Sequence, residues 1–165
     1  MASLEKFKTN PQLQLLEQIG DVRCVMLGST DPADHKQPMS PQVDTNMDHA
    51  VYFYSDKFSE LGKAVLTKAG EVEMVLIDKD YQAVVKGHLS VATDPKLVDK
   101  FWSPIVGAWY PDGQTDPKLM MLKFQPRDAA VWASHGNPIR FLFEVAKANL
   151  TGTQADMGDM KHVKM

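Results

Sequence analysis

The stretch Ala83-Val84-Val85-Lys86-Gly87-His88-Leu89-Ser90-Val91 decides the fold class. Successive side chains of an extended strand point to opposite faces. Ala83, Val85, Gly87, Leu89 and Val91 therefore share one face, and Lys86, His88 and Ser90 share the other. A strand that is apolar on one side and polar on the other has one buried face, as antiparallel sheets do. Val72 to Ile77, just upstream, is also predicted to be a strand, and Asp78-Lys79-Asp80 supplies turn chemistry between the two.

Working outward, Ala50 to Ser55 is rich in Val, Tyr and Phe and predicts another strand. Ser55 and Asp56 suit the cap of a helix over Phe58 to Lys68. Val22 to Gly28 reads as a short buried strand, and Pro38 to Asn46 as a second strand weakened by Pro41. Asn10-Pro11 opens a first helix with Leu13, Leu16 and Ile19 on its apolar side and Gly20 at its end. Downstream, Asp94-Pro95 caps a helix carrying Leu97, Val98, Phe101 and Trp102 on one side. Ser103 to Pro117 is loop-rich, and Lys118 to Trp132 is predicted as strand with a break at Pro126. Asn137-Pro138 opens a last helix with Ile139, Leu142, Phe143 and Ala146, and the polar segment from Thr151 onward reads as a mobile tail.

Strands outnumber helices, and the links are too short for repeated parallel crossovers. The expected architecture is mainly β: a closed or half-closed antiparallel barrel with flanking helices, over residues 1–150, followed by a polar tail over 151–165. The chain's 165 residues, 44% hydrophobic and 24% charged, fit one ordinary globular domain.

Several function classes find no support. Net charge is −3 and the only arginines are Arg23, Arg127 and Arg140, so no basic face is available for nucleic acid. No apolar stretch is long enough to span a bilayer, and Met1 to Asn10 lacks the apolar core of a signal peptide. With a single cysteine, Cys24, a cytoplasmic setting is expected. Cys24 sits in an apolar run and reads as a small buried residue. His35, His49, His88, His135 and His162 are scattered without metal-ligand spacing, so no metal site is expected. There is no Gly-rich dinucleotide loop, P-loop or nucleophile elbow, and no residue is identifiable as a dedicated catalytic base.

Three stretches carry a resemblance. They are Gln37-Pro38-Met39, then Val51-Tyr52-Phe53-Tyr54-Ser55 with the helix start Ser59 to Lys63, and the block Phe101-Trp102-Ser103-Pro104, Ala108-Trp109-Tyr110-Pro111-Asp112-Gly113 and Asp116-Pro117. Together they resemble the FMN-binding split-barrel family of pyridoxamine 5'-phosphate oxidase-like proteins, in its general-stress branch. Lys86-Gly87-His88 is similar to that family's Ser-Gly strand, and Ala130-Val131-Trp132 to the Trp that ends its last strand.

The resemblance implies a split antiparallel β-barrel, FMN as cofactor, and a homodimer with cofactor sites at the interface. It implies that the Ser55 hydroxyl and Lys63 hold the FMN phosphate after the strand carrying Tyr54. Gln37, Pro38 and the Met39 backbone would meet the polar edge of the flavin ring, and Trp109 and Tyr110 would cover the site from the partner subunit. Two positions depart from the pattern: Gln37 stands where the family carries Arg, and Glu60-Leu61 where the oxidases proper carry an Arg-Lys pair. The oxidases' C-terminal Arg-and-His motif has no counterpart, so pyridoxamine 5'-phosphate oxidation itself is not expected. The expected function is a flavin-linked redox role. The alternatives are a flavin-dependent oxidase or reductase of a defined small substrate, and a split barrel that binds haem, through His88 or His135, or a deazaflavin.

Overall fold

The computed structural model describes residues 3–134 and 136–165. Its strands are β1 (Val25–Ser29), β2 (Gln37–Met39), β3 (Val51–Asp56), β4 (Gly70–Asp78), β5 (Tyr81–Ala92), β6 (Leu119–Ser134) and β7 (Gly158–Lys164). The helices are α1 (Leu4–Thr9), α2 (Pro11–Asp21), α3 (Glu60–Thr67), α4 (Pro95–Phe101), α5 (Pro104–Gly107) and α6 (Pro138–Thr151).

All strand pairs are antiparallel, and the sheet runs β2-β1-β4-β5-β6-β3. An isolated bridge then joins its two ends. Gln42 donates its N–H to the Tyr52 carbonyl at 2.8 Å, and Tyr52 donates back to Gln42 at 2.9 Å. The sheet is thus nearly closed on itself, a split barrel with flanking helices, as the sequence led one to expect.

The alternation in β5 sets the core. Ala83, Val85 and Leu89 face inward and are buried with Leu27, Met74, Leu76, Leu122, Phe124 and Val131. Burying such a side chain is worth roughly 1.5–3 kcal/mol, so this interior dominates stability. From α2, Leu15, Leu16 and Ile19 plug one side of the barrel. A smaller apolar cluster lies outside the barrel, where Leu97, Val98 and Phe101 of α4 cover Tyr52, Tyr54 and Met121.

Four expectations are corrected. Pro126 does not end a strand. It lies opposite Gly87, Lys86 pairs with Asp128, and the odd residue Arg127 forms a bulge that bends one continuous β6. The close crossing at this bend requires Gly87, because a Cβ there would sit 2.3 Å from the Gln125 carbonyl. The segment 151–165 is not a free tail, since β7 pairs with β6 from Asp128 to Ser134, on the edge that β3 leaves open beyond Phe124. The strand expected over Pro38 to Asn46 shrinks to β2 plus the Gln42 bridge, with Pro41 between them. Cys24 is exposed rather than buried, because β1 begins only at Val25 and Cys24 lies just outside it. Among the described residues no helix is long and apolar enough to cross a membrane.

Candidate functional site

A cleft of about 300 Å3 opens where the barrel seam meets the α4–α5 layer. It is lined by Gln37 to Ser40 and Gln42 on the β2 side, Tyr54 to Asp56 at the end of β3, Ser59, and Ile105, Val106, Trp109 and Tyr110 after α5. Strand β2 pairs on one side only, with β1, so its other edge offers unpaired main-chain groups to the cleft.

The local sequence explains each wall. Asp56 ends β3 by accepting the Phe58 N–H at 2.7 Å, and Ser59 caps α3 by accepting the Gly62 N–H at 3.0 Å. The turn is so tight that a Cβ on Gly62 would lie 2.1 Å from the Asp56 carbonyl. Ser103 and Pro104 start α5, which ends as the chain turns through Trp109 and Tyr110. Trp102 stands behind this wall. It meets Tyr54 edge-on, with ring centroids 5.9 Å apart, and lies 6.3 Å from Tyr110.

Seven of the eight residues expected at the site line this one cleft: Gln37, Pro38, Met39, Tyr54, Ser55, Trp109 and Tyr110. Trp109 and Tyr110 line the cleft of their own chain, whereas the resemblance assigned them to the partner's. Lys63 is not brought in; it lies exposed on α3, outside the lining. Ser40, Gln42, Asp56, Ser59, Ile105 and Val106 complete the walls, and sequence reasoning did not assign them to the site. The stretch Ser59 to Lys63 had marked the neighbourhood, but only the folded corner shows which of its residues face the opening.

The polar groups are few and defined. Ser55 and Tyr110 are buried, and among the described residues neither hydroxyl has a hydrogen-bond partner. The Gln37 amide reaches back to the Met39 sulfur at 3.3 Å. Burial pushes the Tyr110 phenol up to about 12, with Asp56 and Asp116 adding to the effect, so it stays a proton donor at neutral pH. Tyr54 is likewise raised to about 12, by burial first and then by Asp99 and Tyr110.

The family model for pyridoxamine 5'-phosphate oxidase-like proteins matches residues 10–156. This chain belongs to that family. Within this pyridoxamine 5'-phosphate oxidase-like family, solved structures of general stress proteins are similar along most of their length. One described as general stress protein 26, from Jannaschia sp. CCS1, is 32% identical with a TM-score of 0.82, covering 99% of this chain and 100% of that one. The general stress FMN/FAD binding protein of Xanthomonas citri is also 32% identical, with a TM-score of 0.68, covering 76% of this chain and 90% of that one. General stress protein 26 of Bacillus anthracis, 22% identical with a TM-score of 0.57 over 71% of this chain and 92% of that one, shares the fold. No curated protein matches.

The family implies a flavin, and the cleft fits its ring system. A flat, largely apolar ring with a polar edge suits apolar walls from Pro38, Met39, Val106 and Trp109, with the β2 edge, the Gln37 amide and two unpartnered hydroxyls for its heteroatoms. The phosphate end does not fit. The lining contains no Lys, Arg or His, and its one carboxylate is Asp56. The haem alternative gains nothing from the fold: His88 is paired with Glu71 at 3.1 Å and lies outside the cleft lining, and His135 lies outside the described residues. No cluster of metal-ligating side chains occurs among the described residues.

Proposed function

We propose that the cleft between β2, the end of β3 and the Trp109–Tyr110 turn holds the ring system of a flavin, and that the protein carries this flavin as a redox group. The single observation behind this reading is the convergence of Gln37, Met39, Ser55 and Tyr110 on one apolar-walled cleft from three separate parts of the chain. A bound flavin supplies hydride and electron chemistry. The protein's share is to orient the ring against the β2 edge, donate hydrogen bonds from Ser55 and Tyr110, and exclude water with Val106 and Trp109. FMN is the form the family implies.

The active assembly is proposed to be a homodimer. Ile105 and Trp109 stand 79% and 80% exposed on the lip of the cleft, an apolar rim that a second copy would cover. Light scattering of the purified protein should give twice the chain mass.

Titration of the protein with FMN and with riboflavin, followed by quenching of flavin fluorescence, tests the site. Saturable binding at micromolar concentration of at least one of them is expected. If neither binds, the cleft is not a flavin site. Turnover as an oxidase or reductase would show as bleaching of the bound flavin by NADH or NADPH followed by reoxidation in air.

A further inference from the structure

The charge around the cleft bears on which flavin it takes. Besides Asp56 in the lining, Glu60 occupies the first turn of α3, and the neighbouring cleft that shares Gln37 holds Asp34, His35 and Glu60. Most of the main-chain donors that a phosphate would seek at the β3–α3 corner are already used, the N–H groups of Glu60 and Leu61 being the exceptions. Phe58 N–H goes to the Asp56 carboxylate, Gly62 N–H to Ser59 Oγ, Lys63 N–H to the Ser59 carbonyl, and the Ser59 hydroxyl itself to the Asp56 carbonyl. None of the nearby lysines is part of the cleft lining. Lys36 pairs with Glu73 at 3.1 Å, Lys57 lines a different cleft with Asp94 and Gln114, and Lys63 is exposed on α3. Where a phosphomonoester would need positive charge, the cleft lining presents the Asp56 carboxylate, with Glu60 beside it in the first turn of α3.

Resting on the flavin reading above, we infer that this cleft selects a flavin whose side chain carries no phosphate, of the riboflavin class, over FMN. Ser55 and Tyr110 present hydroxyls in the cleft, which suit the uncharged heteroatoms and hydroxyls of such a ligand. A phosphate near Asp56 and Glu60 meets repulsion that nothing in the lining offsets.

The test compares riboflavin with FMN on the intact protein across a salt series. At low ionic strength riboflavin should bind roughly threefold or more tightly than FMN, and the gap should close as salt shortens the screening length. D56N keeps an oxygen to accept the Phe58 N–H, so the corner can still form. Together with E60Q it should raise the affinity of FMN relative to riboflavin several-fold. Equal affinities, or tighter FMN binding that weakens with salt, would overturn the inference and leave the flavin site standing. Failure of both ligands would remove the flavin site itself, and the inference with it.

Discussion

The Tyr54 hydroxyl donates a 2.6 Å hydrogen bond to the carbonyl of Val98, tying the end of β3 to α4 across 44 residues of sequence. The same ring rests edge-on against Trp102, which contacts Tyr110. One side chain therefore couples the barrel to the wall of the cleft. Tyr54→Phe leaves the Val98 carbonyl without this donor and should cost about 1 kcal/mol, read by urea unfolding. It should also weaken flavin binding, because the Trp109–Tyr110 turn loses its fixed backing. Unchanged stability together with unchanged affinity would show that the tie is dispensable.

Ser55→Ala and Tyr110→Phe each remove one unpartnered hydroxyl from the cleft without opening the core. Each should reduce flavin affinity about three- to tenfold, near the 1 kcal/mol of a single hydrogen bond, and leave the melting temperature nearly unchanged. A large loss of stability with no change in affinity would place these hydroxyls in the scaffold instead.

Gly62 and Gly87 stand at close approaches of backbone to backbone. Gly62→Ala drives a methyl into the Asp56 carbonyl at the β3–α3 corner, and Gly87→Ala drives one into the Gln125 carbonyl and the Phe124 ring at the β6 bulge. Each should destabilise by about 2 kcal/mol or more in denaturant unfolding. Wild-type stability in Gly62→Ala would mean that the corner opens at little cost.

All four tyrosines are raised above the ordinary phenol value, each by burial first. Tyr52, Tyr54 and Tyr110 reach about 12, and Asp48 adds to the shift of Tyr52. A phenol whose folded pKa lies above its unfolded value of 10.0 contributes stability that is complete below pH 10 and is lost as pH rises toward 12. Alkaline unfolding and the rise of tyrosinate absorbance should therefore coincide in that window. A tyrosinate signal developing freely around pH 10 in the folded protein would contradict this. At the acid end the sign reverses. Asp44 and Asp128 are lowered chiefly by hydrogen bonds from Lys100 and Lys164, while for Asp48 burial pulls upward but Lys123 and Tyr52 prevail. Their modest, solvent-screened contributions should fade as pH falls below about 4.

Strand β7 is held by its ladder to β6, by a 3.0 Å ion pair between Lys164 and Asp128, and by Lys161 bonding to the Phe7 carbonyl at 3.0 Å. Val163 is its one side chain in the core. Val163→Ala should cost about 2 kcal/mol. Truncation before Gly158 should cost more, since it bares the β6 edge and promotes self-association. A truncated chain as stable and as monodisperse as the full one would make β7 an ornament.

Much of this fold was legible because strand periodicity is a local signal. The alternation from Ala83 to Val91 and the Val-Tyr-Phe run before Ser55 each mark a half-buried strand without reference to the rest of the chain. β7 was not legible: with Val163 as its one buried residue, it has no period-two pattern. Its existence depends on an edge that β6 exposes only after bending at Pro126. Lys63 stays outside the cleft lining for a related reason, since spacing along the chain gives proximity to Ser55 but does not fix which residues of α3 line the opening.

The sequence by itself determined the antiparallel character of the sheet and the helix starts at Asn10-Pro11, Asp94-Pro95 and Asn137-Pro138, while the α3 cap moved from the expected Ser55 and Asp56 to Ser59. Alternation, capping and turn chemistry act between neighbours in the chain. The tertiary structure alone decided that β2, the end of β3 and the Trp109–Tyr110 turn enclose one cleft. It also decided that Trp109 and Tyr110 line that cleft, and that Asp56 is the one charged residue in its lining among the described residues. Burial and electrostatic environment are sums over residues distant in sequence, so they exist only once the barrel has closed through Gln42 and Tyr52.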